Sequence, residues 1–299
     1  LGAKPVFADI DLNTGNIDPG SIKSLINKNT KCISVVHLGG WPADMHEIVK
    51  IAKDHNLKVI EDCSQAHGAL INNQSVGNFG DIATWSFCQD KIMSTGGEGG
   101  MITTNNKEYF EKIWSLKDHG KTIFSVFEKK HPKGFAYKFL HDEFGSNFRM
   151  TEIQASIGII QIKRLNNWTK KREYNAKIFI DKLKNINCIK IPLPSKKIQH
   201  AWYKFYIYVK KEFLKTGWDR NKILDEINKK GFPAGSGSCS ELYLEKAFQD
   251  NGFNNFKRLK NAKDLGDSSI MLLVHPTITK QEIYSYAEAV RSVLIKASI

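Results

Sequence analysis

Short runs rich in β-branched and aromatic residues alternate with amphipathic stretches through the first half of the chain: KPVFADI, CISVVHL, KVIEDC, ATWSFC and GMITT. This alternation predicts a mostly parallel sheet flanked by helices. Between the second and third runs, PADMHEIVKIAKDHN puts Met45, Ile48, Val49 and Ala52 at i, i+3, i+4 and i+7. One face of a crossover helix is therefore apolar. The strand runs are apolar at successive positions, which predicts strands covered on both faces.

The pattern changes near residue 150. TEIQASIGIIQIKRLNNW opens with Thr151 and has Gln154 three positions on, a capping-box signature of a helix start. Its Ile153, Ile157 and Ile160 are expected to share a buried face. After a lysine-rich helix, KKREYNAKIFIDKLK, the order becomes strand (AWYKFYIYV), helix (DRNKILDEINKKG), loop, strand (SIMLLV) and a last helix that starts at Thr279 with Glu282 at its third position. The predicted fold class is α/β: a mostly parallel sheet sandwiched by helices over residues 1–164, then a smaller α+β domain over 165–299. The sequence holds no internal repeat or low-complexity linker, so the two parts are expected to share an interface.

Composition narrows the class. The 299 residues are 41% hydrophobic and 25% charged, an ordinary globular balance that excludes disorder. No stretch approaches the roughly 20 apolar residues of a membrane helix, and LGAKPVFADIDL lacks a signal-peptide pattern, so no membrane partner is expected. The chain starts without Met in a strand-like run, which suggests that an N-terminal part lies outside it. Five scattered cysteines without CxxC spacing fit reduced thiols in a cytoplasm and no metal site. The net charge of +13 permits nucleic acid or an anionic substrate. The lysines are dispersed without aromatic interleaving, however, which points to solvated faces and no nucleic-acid partner.

Candidate chemistry gathers where strands end. Asp62 and Gln65 follow an apolar strand and enter a small-residue turn, VIEDCSQAHGA, where open α/β sheets bind ligands. Asp62 suits either a cap on the following turn or a carboxylate that holds a cationic ring nitrogen. In SFCQDKIMSTGGEGG, Ser86 ends a strand and Lys91 precedes a glycine-rich turn. Alone, Lys91 fits a solvated loop lysine as well as a nucleophile. The turn lacks the GxxxxGK[ST] order of a phosphate-binding P-loop. Asn147 and Arg149 sit in FGSNFRM, where an asparagine before a helix is common in any case.

Taken together, the acid with a glutamine three residues on, the serine, the lysine five after it and the TGGEGG turn resemble the DegT/StrS family of sugar aminotransferases. PVFADIDLNTGNIDP, HLGGWPADM, FGSNFRMTEIQASIG, GSGSCSELYLEKAF and LLVHPT extend the resemblance along essentially the whole chain. It implies a fold-type I enzyme that uses pyridoxal 5′-phosphate (PLP) to move an amino group from an amino acid, most often glutamate, to a keto-sugar, usually nucleotide-linked. By this resemblance Lys91 carries the cofactor as an imine and shuttles the proton. Asp62 pairs with the pyridine nitrogen, Gln65 with the phenolic oxygen and Ser86 with the phosphate. Asn147 reaches the phosphate of the neighbouring subunit's site, which implies a homodimer with shared sites. His67 and Arg149 are candidate substrate contacts, a structural role weighing more for His67.

Lysine at position 91 separates the chain from the family's dehydratase branch, where histidine replaces it. Gly96 and Gly97 both precede Glu98, where the family pattern often has one glycine. Relatives begin with a further segment that holds the phosphate through a Gly-Thr/Ser-Ala turn at a helix N-terminus. The alternative expectation is accordingly an inactive truncated fragment, or a PLP-binding regulatory protein of the same fold.

Overall fold

The computed structural model describes residues 2–134, 138–252 and 257–299. A four-stranded sheet comprises β1 (Cys32–Val36), β2 (Lys58–Asp62), β5 (Ile82–Ser86) and β6 (Gly100–Thr103), in that spatial order. The first three strands run parallel and β6 pairs antiparallel to β5, so the predicted mostly parallel α/β sheet is present. A small sheet alongside it joins β3 (Leu70–Ile71) to β4 (Gln74–Ser75) and to β8 (Ile198–Gln199). The helices α1 (Pro19–Leu25) and α2 (Met45–Asp54) cover one face of the main sheet, with Ile22, Met45, Ile48 and Ile51 packed on Ile33, Val35 and Val59. Asn106 caps α3 (Lys107–Lys117), which follows β6.

Along β1, Ile33 and Val35 are buried beneath α1 and α2, while Cys32, Ser34 and Val36 are exposed on the opposite face, which carries the site. One expectation for this half changes. KPVFADI is not a strand; it makes one isolated bridge, between Ile10 and Ile17. Its polar groups go elsewhere, because the Asp9 carboxylate accepts the Asn261 and Ala262 N–H groups at 3.1 and 2.9 Å and so caps α7 (Lys260–Ser268). That helix lacks a side-chain cap from its own Leu259.

The two helices expected after residue 150 are one, α4 (Glu152–Leu183), 32 residues long, and its Thr151/Gln154 capping box is formed. The interval between residues 164 and 165 falls inside it. Its C-terminal half packs Ala176, Phe179 and Leu183 into a second core with α5 (Arg220–Lys229), α8 (Lys280–Ala297) and an antiparallel sheet of order β10–β11–β9–β7. The strands of that sheet are β7 (Ile189–Lys190), β9 (Phe205–Val209), β10 (Ala234–Gly235) and β11 (Ser269–Leu272). The short α6 (Lys246–Asp250) lies in the loop before α7. Thr279 and Glu282 form the predicted capping box of α8.

The N-terminal half of α4 corrects another expectation. Ile153 and Ile160 are 77% and 52% exposed rather than buried, and Ile157 is half-buried. The inward side is the polar and small one. Gln154 Nε2 donates to the Glu98 carbonyl at 2.6 Å, Gln161 Oε1 accepts the Ser94 N–H at 2.8 Å, and Ile157 and Gly158 lie against Gly96 and Thr95. This half of the helix grips a turn instead of filling a core.

Candidate active site

The gripped turn is the one that carries Lys91. Phe87 N–H donates to the Gly99 carbonyl at 2.8 Å and Thr95 N–H to the Phe87 carbonyl at 3.2 Å, closing the loop on itself. Gly96 and Gly97 have φ of 84° and 131°, values that side chains with a Cβ rarely adopt, so the doubled glycine has a conformational reason. Ile92 and Met93 are buried beneath the loop. Between these anchors the Lys91 side chain is 18% exposed and its Nζ pairs with Asp90 at 3.3 Å. The loop thus shields a lysine rather than displaying it.

Asp62 ends β2 on the open face of the sheet. Val36, Asp62 and Thr84 are register partners across β1, β2 and β5, and Ser86, two residues beyond Thr84, faces the same way. The strand ends of parallel sheets are where such folds bind ligands. Asp62 Oδ1 accepts the Ser64 N–H at 2.9 Å, and its other oxygen accepts nothing from the described residues. Gln65 Oε1 accepts the Gly39 N–H at 2.7 Å, and its amide N–H groups have no acceptor among the described residues. Ser86 Oγ accepts the Cys88 N–H at 3.3 Å, which leaves its hydroxyl proton to donate. A carboxylate oxygen, an amide donor, a hydroxyl donor and a shielded lysine are the groups a phosphorylated, cationic ring with a phenolic oxygen calls for. The residues present fit PLP.

The three other candidates lie differently. His67 is 2% exposed, beside the rings of Trp85 and Phe87 at 5.4 and 5.8 Å, and neither ring nitrogen has a hydrogen-bond partner among the described residues. Burial, with the nearby Lys91 and Arg172 cations, lowers its pKa to about 4, so the ring is neutral. Asn147 is exposed, and its backbone segment forms a β-bridge with that of Asp118 at the end of α3. Arg149 pairs with the Asp118 carboxylate; burial acts to raise that carboxyl, but the Arg149 guanidinium and Lys121 hold it below the usual range. Among the described residues, neither Asn147 nor Arg149 makes a hydrogen bond or ion pair with the Lys91 loop or Asp62.

Several residues of the site escape a local reading. Tyr203, just before β9, donates its hydroxyl to Asp90 Oδ2 at 2.5 Å, and the Lys91 ammonium lies 5.5 Å from the centre of its ring. The neighbouring Lys204 N–H donates to the Gly39 carbonyl at 3.2 Å, and Gly39 in turn is bound to Gln65. Gly39 and Gly40 permit this approach: both have positive φ, and a Cβ on Gly40 would sit 3.0 Å from the backbone nitrogens of Trp202 and Tyr203. Asp90 adjoins Lys91 in sequence, but Tyr203 is more than a hundred residues away, and no spacing rule links them.

His37, Glu61 and Cys63 form a buried group whose ligand atoms lie within 4.8 Å of one another. Their donors and acceptors are already used. Glu61 accepts the N–H groups of Gly77, Phe79 and Gly80 at 2.8, 2.8 and 2.6 Å and faces His37 Nε2 at 3.1 Å, while His37 Nδ1 accepts the Ala43 N–H at 3.0 Å. Burial pushes the Cys63 thiol well up, so it stays protonated. The group is a hydrogen-bonded clamp under β2.

This combination of a mostly parallel sheet, a strand-end acid and a loop-shielded lysine defines a PLP-dependent aminotransferase fold. The sequence profile of the DegT/DnrJ/EryC1/StrS aminotransferase family matches residues 1–291, and the chain belongs to that family. It is 48% identical to the aminotransferase from Psychrobacter cryohalolentis, whose X-ray structure superposes with a TM-score of 0.95 over 99% of this chain and 76% of that one. It is 31% identical to the GDP-perosamine synthase of Escherichia coli O157:H7, over 97% of this chain and 72% of the relative. The E. coli GDP-4-keto-6-deoxy-D-mannose-3-dehydratase, solved with bound hydrated PLP, is 27% identical with a TM-score of 0.82, over 96% of this chain and 73% of that one. PLP is the cofactor of the family.

Proposed function

We propose that this protein transfers an amino group from an amino acid, with glutamate the first choice, to a keto carbon of a nucleotide-linked sugar. The product would serve surface-polysaccharide or secondary-metabolite sugar synthesis in the cytoplasm. The observation that carries the reading is the placement of Asp62 and Ser86 on one open sheet end, linked through Gln65 and Gly39 to the wall beside Lys91. When bound, PLP supplies an electron-withdrawing ring that stabilises a carbanion next to the reacting nitrogen. The chain's part is to hold and shape that chemistry. In that role the unpaired Asp62 oxygen would accept the ring N–H and keep it protonated, Gln65 would donate to the phenolic oxygen, and Ser86 would donate to the phosphate. Lys91 Nζ would hold the cofactor and, as a free amine, would carry the proton away from the donor's α-carbon.

In this reading the protein works as a homodimer. Asn147 stands outside its own site, and Ile153, Ile159, Ile160 and Ile162 leave apolar surface exposed on α4 close by in sequence, which a partner subunit would cover. Residues 1–164 carry the cofactor and residues 165–299 supply the wall around Tyr203. His67, buried and unpaired, packs the site from behind rather than touching substrate, and Arg149 holds the Asn147 segment through Asp118. Incubation with PLP, glutamate and a panel of nucleotide-linked keto-sugars, followed by mass spectrometry, tests the proposal. It predicts an amino-sugar and one equivalent of 2-oxoglutarate, both lost in Asp62→Asn. Turnover of the donor with no sugar of the panel aminated, or full activity in Asp62→Asn, would overturn it.

A further inference from the structure

The wall beside Lys91 carries more positive charge than its surroundings neutralise. Lys204 Nζ lies 4.8 Å from the centre of the Tyr203 ring, the same ring that Lys91 reaches at 5.5 Å. Behind them Arg172, 2% exposed, donates to the carbonyls of Trp202 and Tyr203 at 3.2 and 3.3 Å and pairs with no carboxylate among the described residues. Asp90 is the one described carboxylate that meets this group, and it is already held by Lys91 and by the Tyr203 hydroxyl. The Lys204 ammonium makes no ion pair among the described residues. Burial and the nearby Arg172 and Lys91 cations hold it below the usual lysine range, against the opposing pull of Asp90. A half-buried cation cluster with a single, occupied counter-ion is a site that favours an incoming anion.

We propose that Lys204 holds the α-carboxylate of the amino donor. This rests on the aminotransferase reading. A donor that attacks at Lys91 brings its nitrogen to the place of Nζ, its carboxylate carbon two bonds away, beside the wall on which Lys204 is the cation with no ion pair among the described residues. The diphosphate of a nucleotide-linked sugar is separated from the reacting carbon by the sugar ring and falls further off. Both cations lie against the Tyr203 ring, and Asp90, bound to its hydroxyl, keeps that ring in place. Lys204 itself is positioned by its N–H bond to Gly39, which a side-chain substitution leaves in place.

The test is titration calorimetry of the PLP-loaded protein with 2-oxoglutarate and, separately, with GDP and dTDP, for wild type, Lys204→Gln and Lys204→Arg. Loss of one charge-assisted bond predicts 2-oxoglutarate binding weaker by about 10- to 100-fold in Lys204→Gln. Lys204→Arg should recover most of it, nucleotide binding should stay within about twofold, and the KM for glutamate should rise while that for the keto-sugar holds. Unchanged 2-oxoglutarate binding in Lys204→Gln, or loss confined to the nucleotides, overturns the inference. Equal loss in Lys204→Gln and Lys204→Arg with a lowered unfolding midpoint assigns Lys204 a structural role and also overturns it. A wild-type protein that shows no visible absorbance from a lysine-bound cofactor would remove the aminotransferase reading itself, and this inference with it.

Discussion

Glu61→Gln removes a charge without changing shape, and the structure states what it should cost. Oε1 takes the Phe79 and Gly80 N–H groups, while Oε2 takes the Gly77 N–H and His37 Nε2. Because Ala43 N–H occupies Nδ1, the His37 proton is on Nε2. A glutamine that keeps its oxygen on Phe79 and Gly80 must point its NH2 at two donors. Two charge-assisted bonds are lost and two buried donors are left unpaired, at about 1–3 kcal/mol each, so the variant should lose about 2–6 kcal/mol. That corresponds to about 1–2 °C per kcal/mol in the melting temperature of a chain this size. Burial pushes the Glu61 carboxyl up, but the hydrogen bonds from His37, Gly80 and Gly77 outweigh it and lower its folded pKa. The sign follows from that: the stabilisation is present above the unfolded glutamate pKa and is lost as pH falls through the lower, folded one. Denaturant unfolding from neutral pH down to about pH 3 should show the gap between wild type and Glu61→Gln narrowing as the carboxylate protonates. A gap under about 1 kcal/mol at neutral pH would refute the clamp, as would a gap that does not change with pH.

Other outcomes follow from single contacts. Gly40→Ala puts a Cβ 3.0 Å from two backbone nitrogens at a φ of 93°, so denaturation should show a loss of about 1–3 kcal/mol. Thr279→Ala opens the capping box of α8 by removing the hydroxyl that accepts the Glu282 N–H at 3.3 Å; it should cost about 1 kcal/mol in unfolding free energy and leave cofactor attachment unchanged. Iodoacetamide followed by peptide mass spectrometry should modify the exposed Cys32 and Cys239 of the native protein and spare the buried Cys63 and Cys188.

The legible part of the fold was the part written locally. The parallel strands, the apolar stripe of α2 and both capping boxes follow from periodicity and from Thr, Gln and Glu at fixed offsets. What failed depended on distant partners. KPVFADI has strand-like composition, yet Asp9 is drawn to the bare end of α7, some 250 positions on. The isoleucines of α4 have a helical period, but the first half of that helix meets a glycine-rich turn rather than a core, so Gln154 and Gln161 point inward and the apolar side is left out. At the site, Lys91, Asp62, Gln65 and Ser86 lie in two contiguous motifs and could be recognised. Tyr203, Lys204 and Arg172 reach the same place only because β9 and α4 fold back over the sheet, and in the sequence they look like packing and solvation residues.

The central claim is that Lys91, and no other lysine of this chain, binds the cofactor. Borohydride reduction of the PLP-treated protein, followed by peptide mapping, reads this directly. The account predicts one phosphopyridoxyl group on the peptide that contains Lys91, and none anywhere after reduction of Lys91→Ala. A reduced adduct on another lysine, or an unchanged adduct yield in Lys91→Ala, would contradict it.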